Sequence, residues 1–230
     1  MCGRYFLHSK LDILTDLFGQ LDGNVKLSPR YNIVPGGAIP IVRADAQGRR
    51  HLALVHWGLV PSWSKGPDSR YRMINARAET IAEKPAFRAA YRYRRCLVPA
   101  DGFYEWQTLP RGGKQPFCIQ RADRKPLAMA GIWEHWMADD GSELESCSII
   151  VTRANSIVSS VHERMPVLIS QADFTPWLDR HRQHPQDLCA FLESVPSGQL
   201  EMYPVRNTVN NPENDSPDLI RPLAKYDTCN

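Results

Sequence analysis

Short apolar runs of strand character follow one another along most of this chain, separated only by brief helical patches. Ile39–Arg43 and His51–Trp57 read as two strands paired across a polar turn at Ala44–Arg50. Cys96 to Trp106 reads as a strand, a turn at Asp101-Gly102 and a second strand. Gln115–Gln120 and Leu127–Trp136 read as further strands joined by a charged turn. After a loop at Gly141–Glu145 comes the strongest apolar run, Ser146–Val151, and Leu200–Val205 closes the series. A shorter strand is expected at Val167–Ile169. Leu11, Leu14, Leu17, Phe18 and Leu21 recur at helical spacing, so Lys10–Leu21 is expected as an amphipathic helix ended near Gly23. Other helices are expected over Thr80–Tyr91, Ala154–Val161, from a Ser170 cap to about Leu178, and over Asp187–Ser194. No repeat and no linker interrupts the pattern. One domain over 1–230 is expected, with a polar tail from about 222, and 230 residues at 43% hydrophobic suffice for its core.

The balance of charges narrows the function. A net charge of +3 with a pI near 8.5 permits contact with nucleic acid without demanding it, so the placement of the arginines decides. The six cysteines (2, 96, 118, 147, 189 and 229) form no C-x-x-C pair and no ligand spacing with the seven histidines. They read as reduced thiols of a cytoplasmic protein, and no metal or cofactor is expected. From the polar first residues no signal peptide is expected, and no apolar run approaches membrane-spanning length.

The chemistry concentrates at Met1-Cys2-Gly3-Arg4. An initiator Met followed by a small residue is prone to removal, which would leave Cys2 with a free α-amine beside its thiol. That amine titrates near ~7.7–8.0 and is partly neutral at working pH. The thiol is a good nucleophile once deprotonated. An aldehyde meeting both groups would form a Schiff base with the amine, and thiol attack would close a five-membered thiazolidine. By position alone, a buried or merely exposed cysteine that happens to be second is the preferred reading.

Several other residues carry a chemical and a structural reading side by side. Asn32, in the Pro-punctuated stretch Ser28–Gly37, reads as a residue that ties down a turn. Trp63, in a loop with Pro and Gly, is either a base-stacking residue or a cap on the core edge. Asn75 and Arg77 sit two apart, so an extended segment puts both on one face, suited to a sugar or phosphate edge. Arg92-Tyr-Arg94-Arg95 is the densest basic run and fits a nucleic-acid backbone, or a solvated face. Glu105 lies between Tyr104 and Trp106, where desolvation would raise its pKa and make it a useful acid or base. It reads as readily as an outward-facing strand residue. His162, on a loop before Met165-Pro166, is a better proton-transfer candidate than His181 or His184 in their polar surroundings.

Taken together, Met-Cys-Gly-Arg4, Arg30-Tyr-Asn-Ile-Val-Pro35, Trp57-Gly-Leu-Val-Pro61, Ile74-Asn-Ala-Arg-Ala-Glu79, Pro99-Ala-Asp-Gly-Phe-Tyr-Glu-Trp106, Val161-His-Glu-Arg-Met-Pro166 and Val205-Arg-Asn-Thr-Val-Asn210 resemble the SRAP (SOS response-associated peptidase) family of abasic-site processing proteins. The resemblance runs from residue 2 to about 220. It implies a single α+β domain with a barrel-like mixed sheet and flanking helices. It also implies covalent capture of abasic sites in single-stranded DNA, whose ring-opened sugar exposes the aldehyde that a chain-terminal aminothiol consumes. By the same resemblance Cys2 is the nucleophile, Asn75 holds the sugar, Glu105 transfers protons beside the amine, and His162 serves the sugar O4′ side. Arg4 and Arg77 resemble phosphate contacts, with Gly3 in the same DNA-contacting stretch, and Trp63 resembles a stacking residue. Many bacterial members have an aromatic residue where this chain has Ser64, which bears on stacking and leaves the chemistry alone. A monomer is expected, away from membranes, nucleoid-associated when on DNA, with replication-fork proteins as open partners. Two other readings stand beside this one. An N-terminal-nucleophile amidase would not need the arginines at 4, 77, 88, 92, 94 and 95, and a non-catalytic reader of modified bases would not need Cys2.

Overall fold

A computed structural model describes residues 2–22, 25–66, 73–193 and 197–223 of the chain. Its strands are β1 (Tyr5–Leu7), β2 (Leu21–Asp22), β3 (Arg30–Ile33), β4 (Ala38–Ala44), β5 (Arg50–Trp57), β6 (Asn75–Arg77) and β7 (Arg95–Ala100). They continue with β8 (Gly102–Thr108), β9 (Lys114–Arg121), β10 (Leu127–Met137), β11 (Glu143–Arg153), β12 (Arg164–Pro166) and β13 (Leu200–Pro204). The helices are α1 (Leu11–Phe18), α2 (Arg88–Tyr93), α3 (Phe174–Leu178) and α4 (Pro185–Cys189).

Five strands close on themselves. β11 pairs with β10, β10 with β7, β7 with β4 and β4 with β5. β5 then returns to β11 in parallel, with His56 opposite Ser146 and Trp57 opposite Cys147. Closure leaves these strands no free edge over the paired stretch and fills the interior with side chains. The other five-stranded sheet runs β13-β9-β8-β1-β3. Strand alternation divides its residues cleanly. Tyr5, Leu7, Phe103 and Ile119 join the barrel's core cluster, whereas Phe6, Tyr104 and Cys118 form a smaller cluster with Val205, Val209 and Leu219. The single α+β domain with a barrel-like mixed sheet is therefore what the strands build.

The turn expected at Asp101-Gly102 is a crossing between sheets and makes no hairpin: β7 belongs to the barrel and β8 to the other sheet. The buried Asp101 carboxylate fixes this corner by accepting the His8 N–H (2.6 Å), the Ser9 N–H (2.7 Å) and the Ser9 hydroxyl (2.6 Å). Gly102 has no room for a side chain, since a Cβ there would lie 2.5 Å from Phe6 Cζ and 2.6 Å from the Ile119 carbonyl oxygen. β9 and β10 likewise sit in different sheets on either side of their charged turn.

Several expected boundaries move. The first helix stops at Phe18 because Gly19 turns the chain at φ 79°, and Leu21 goes into β2; Gly23 lies outside the described residues. The expected helix over Thr80–Tyr91 is a series of turns until α2, since Pro85 disfavours helical backbone at Lys84 and donates no hydrogen bond. Part of the loop Ser28–Gly37 is β3. Ala154–Val161 keeps only one 3-10 turn, Val158–Ser160. The short strand is Arg164–Pro166, with Val167–Ile169 reduced to a single bridge between Leu168 and Met129. Ser170 does not cap a backbone N–H; its hydroxyl bonds the Asp173 carboxylate at 2.5 Å ahead of α3. The last helix begins two residues early, at Pro185, as α4, and a 3-10 turn Ala190–Leu192 continues it. Among the described residues, no helix is long and apolar enough to cross a membrane.

Candidate functional site

β1 carries the start of the chain alongside β8. Tyr5 lies opposite Phe103, and the Tyr104 N–H donates to the Arg4 carbonyl at 3.0 Å, so the register continued by one residue sets Gly3 against Glu105. Cys2 is buried in the main core cluster and Gly3 is half-buried. Glu105 is only 3% exposed. Burial pushes the Cys2 thiol far above its ordinary value, the Glu105 charge adds to that, and the Arg4 backbone N–H opposes it. Burial also pushes the Glu105 carboxyl up, with the neighbouring charges, His162 among them, pulling it partly back. The apolar setting expected for Glu105 is what the fold supplies, and these interactions bring Cys2, Glu105 and His162 to one place.

His162 follows the 3-10 turn Val158–Ser160. That loop is tied to β8 by Gln107, two residues beyond Glu105, whose Nε2 donates to the Ser160 carbonyl at 3.0 Å. His162 Nδ1 lies 3.0 Å from the Arg164 N–H and 3.3 Å from the Arg164 carbonyl oxygen, and the tautomer that accepts from the nearer N–H carries its ring proton on Nε2. His162 can therefore donate from its far nitrogen.

Asn75 approaches from the barrel. β6 lies parallel to β11, with Asn75 beside Ile149 and Arg77 beside Val151, and β12 lies along the opposite edge of β11. The Asn75 amide donates to the Ile74 carbonyl at 3.0 Å and to the Ile149 carbonyl at 3.5 Å, which fixes its orientation. Its Oδ1 is buried with no hydrogen-bond partner. Such an orphan acceptor costs ~1–3 kcal/mol, so it marks a place where a ligand hydroxyl would be stabilised. Tyr5 links the two halves: its ring meets Trp57 edge-on at 5.4 Å, and Trp57 Nε1 donates to the carbonyl of Ile74 at 3.0 Å.

The expected DNA contacts fall into different settings. Arg77 is exposed and makes no ion pair among the described residues. Trp63 is 68% exposed, while its loop is pinned by Trp136, whose Nε1 donates to the Ser64 carbonyl at 2.8 Å. It does not cap the core, whereas Trp57 lies fully within it. Arg4 is half-buried, its Nη1 donating to Asn32 Oδ1 at 2.8 Å and to the Val209 carbonyl at 2.7 Å. The basic run 92–95 divides. Arg92 is exposed, but Arg94 pairs with Glu134 at 2.6 Å. Arg95 is buried, bonding the carbonyls of Tyr91, Arg92, Trp177 and Asp179. That arginine staples α2 to α3 and cannot serve a nucleic-acid backbone. Gln107, Tyr5 and Trp57 were not foreseen at the site, because only the pairing of distant strands brings them there. Among the described residues, no three His, Cys, Asp or Glu side chains gather as metal ligands would.

Comparison with known proteins points one way. The sequence profile of the family described as SOS response associated peptidase (SRAP) matches residues 1–212. The chain is 37% identical over 222 residues to the abasic site processing protein YoqW of Bacillus subtilis, covering 96% of this chain and 99% of that one. It is 30% identical over 230 residues to the abasic site processing protein YedK of Escherichia coli, covering 97% and 100%. A crystal structure of a protein from Bacteroides thetaiotaomicron superposes with a TM-score of 0.86 at 26% identity, covering 97% of this chain and all of that one (100%).

Proposed function

Starting from the premise that the chain belongs to the SOS response associated peptidase family, we propose that it processes abasic sites in single-stranded DNA by forming a covalent thiazolidine through Cys2 after loss of Met1. The observation that carries this reading is that Cys2, just ahead of β1, and Glu105, on the adjacent strand β8, are both buried, in a register that sets Gly3 opposite Glu105, with the His162 charge acting on Glu105. The names of YoqW and YedK support the substrate.

The chemistry follows from the protonation states. The Cys2 amine adds to the C1′ aldehyde of the ring-opened sugar, giving a carbinolamine. The raised Glu105 carboxyl protonates the departing hydroxyl, water leaves, and a Schiff base remains. The Cys2 thiol is held protonated by its surroundings, so it needs a local base at the moment of attack. Glu105, now a carboxylate, takes that proton as sulfur bonds C1′ and the C=N electron pair goes to nitrogen. His162 Nε2–H donates toward the sugar O4′ as the ring opens. Asn75 Oδ1 accepts a sugar hydroxyl, which satisfies its orphan lone pairs. Arg77 and the free edge of Arg4 take the flanking phosphates, Gly3 lets the strand approach the backbone, and Trp63 stacks on a base. A Schiff base also acidifies the C2′ proton, so β-elimination of the 3′ phosphate competes with ring closure.

Untagged protein mixed with an abasic single-stranded oligonucleotide should give a slow band on a denaturing gel. The intact mass of that band should equal mature protein, lacking Met1, plus oligonucleotide less one water. An uncleavable N-terminal tag converts the amine to an amide and should abolish the band. A tagged protein that crosslinks as well as the mature one would overturn the mechanism.

A further inference from the structure

Four of the segments singled out in the sequence meet at the side chain of Arg4. Arg4 Nη1 bonds Asn32 Oδ1 at 2.8 Å and the Val209 carbonyl at 2.7 Å, and the guanidinium lies 5.7 Å over the Trp106 ring. Trp106 Nε1 donates in turn to Asn210 Oδ1 at 2.7 Å. Asn32 is the hub. It is 2% exposed, and its Nδ2 donates to the carbonyls of Val209 (3.3 Å), Asn211 (3.0 Å) and Asn214 (2.8 Å). No turn of its own is involved. The residue lashes the 209–214 segment over β3 and holds Arg4 between the two.

We propose that Asn32 is a positioning residue for the capture reaction, acting through Arg4 to fix the first residues of the chain. The proposal rests on the reading of Cys2 given above. A chain end frays unless it is tied down, and residues 2–4 precede β1. Arg4 is tied twice: its carbonyl takes the Tyr104 N–H at 3.0 Å, and its side chain is held by Asn32 and Val209. The Arg4 N–H faces the Cys2 sulfur, so holding Arg4 holds the thiol as well. A carboxamide suits this position because it offers an acceptor to the guanidinium and donors to the carbonyls at once. A carboxylate would face three carbonyl oxygens, and an alkyl group would orphan them.

The test uses the mature full chain and two oligonucleotides, one with a true abasic site and one with a tetrahydrofuran spacer that has no aldehyde. Asn32→Ala should slow single-turnover crosslinking at saturating DNA by ~10–100-fold, the loss that a misplacement of about 1 Å produces, and this loss should exceed its effect on affinity for the spacer oligonucleotide, which reads the Arg4 phosphate contact alone. Arg4→Ala should also slow the reaction. Because the effect runs through Arg4, the double variant should be no slower than the slower single variant. Wild-type crosslinking rate in Asn32→Ala, or rate losses that multiply in the double variant, would overturn the proposal. Should Asn32→Ala not yield folded protein, Arg4→Gln probes the same link from its half-exposed side. A wild-type rate for Arg4→Gln at saturating DNA would equally overturn it. Wild-type protein that forms no crosslink refutes the reading of Cys2 itself, a result distinct from either of these.

Discussion

Glu105 shows how a single residue sets stability and chemistry against each other. Its carboxyl is raised by burial, so the folded protein binds its proton more tightly than the unfolded chain does. That contribution to stability is full below the unfolded value of about 4.3 and is lost as pH rises through the folded value. Glu105→Gln removes the ionisation. The variant should therefore melt higher than wild type at pH 7, and the difference should vanish as pH falls below about 4.5 in thermal unfolding followed by circular dichroism. The same substitution should slow crosslinking by ~10²–10⁴-fold, as expected for loss of a placed acid or base. A variant both less stable at pH 7 and fully active would mean that Glu105 is a structural ion. Cys2→Ser separates the two bond-forming steps. Its amine remains, but a hydroxyl is a poorer nucleophile, so the Schiff base should be trapped by borohydride while no denaturation-resistant band forms without it.

Among the elements, the loop carrying Trp63 has the clearest division of labour. Trp136 on β10 holds the loop by a hydrogen bond to Ser64 at 2.8 Å, while Trp63 stands 68% exposed. Exposure on that scale leaves little core packing to lose. Trp63→Ala should weaken single-stranded DNA binding by ~1–3 kcal/mol, the value of one base stacked on an aromatic ring, measured by fluorescence anisotropy. Its melting temperature should match wild type. Trp136→Phe keeps an aromatic ring but removes the indole N–H, so it should weaken binding less. Equal affinity in Trp63→Ala and wild type would remove Trp63 from the interface, and Ser64 would then be insufficient to sustain stacking there.

At the scale of the whole molecule, the site exists because the chain leaves the barrel between β7 and β8. That passage sets Glu105 on one sheet and Asn75 against β11 of the other, with His162 in the loop that leads into β12 beside β11. Gly102 permits it, packed so closely on Phe6 and the Ile119 carbonyl that a methyl group has no space. Gly102→Ala should destabilise the fold by ~1–3 kcal/mol through overpacking. The strain falls on the β1–β8 pair that carries Cys2 and Glu105, so crosslinking should slow even at temperatures where the variant stays folded. A stable, fully active Gly102→Ala protein would show that the corner yields without moving the site.

The sequence by itself determined the longer strands and singled out candidate reactive groups. Ile39–Arg43, His51–Trp57, Gln115–Gln120, Leu127–Trp136 and Ser146–Val151 were legible because strand alternation and apolar runs are local signals, and all lie within observed strands. The flanking aromatic residues left Glu105 as readily exposed as desolvated, and only the structure shows it buried. Partners could not be read. Nothing local tells that β7 and β8 lie in different sheets, that Arg95 spends its charge on backbone carbonyls, or that Asn32 reaches three carbonyls some 180 residues away (|i−j| = 177, 179 and 182). Helix ends moved for the same reason, since in short helices packing outweighs propensity. Residue type and period are properties of a segment. Which segments touch is decided by closing the barrel and burying both faces of the second sheet, and only the tertiary structure does that.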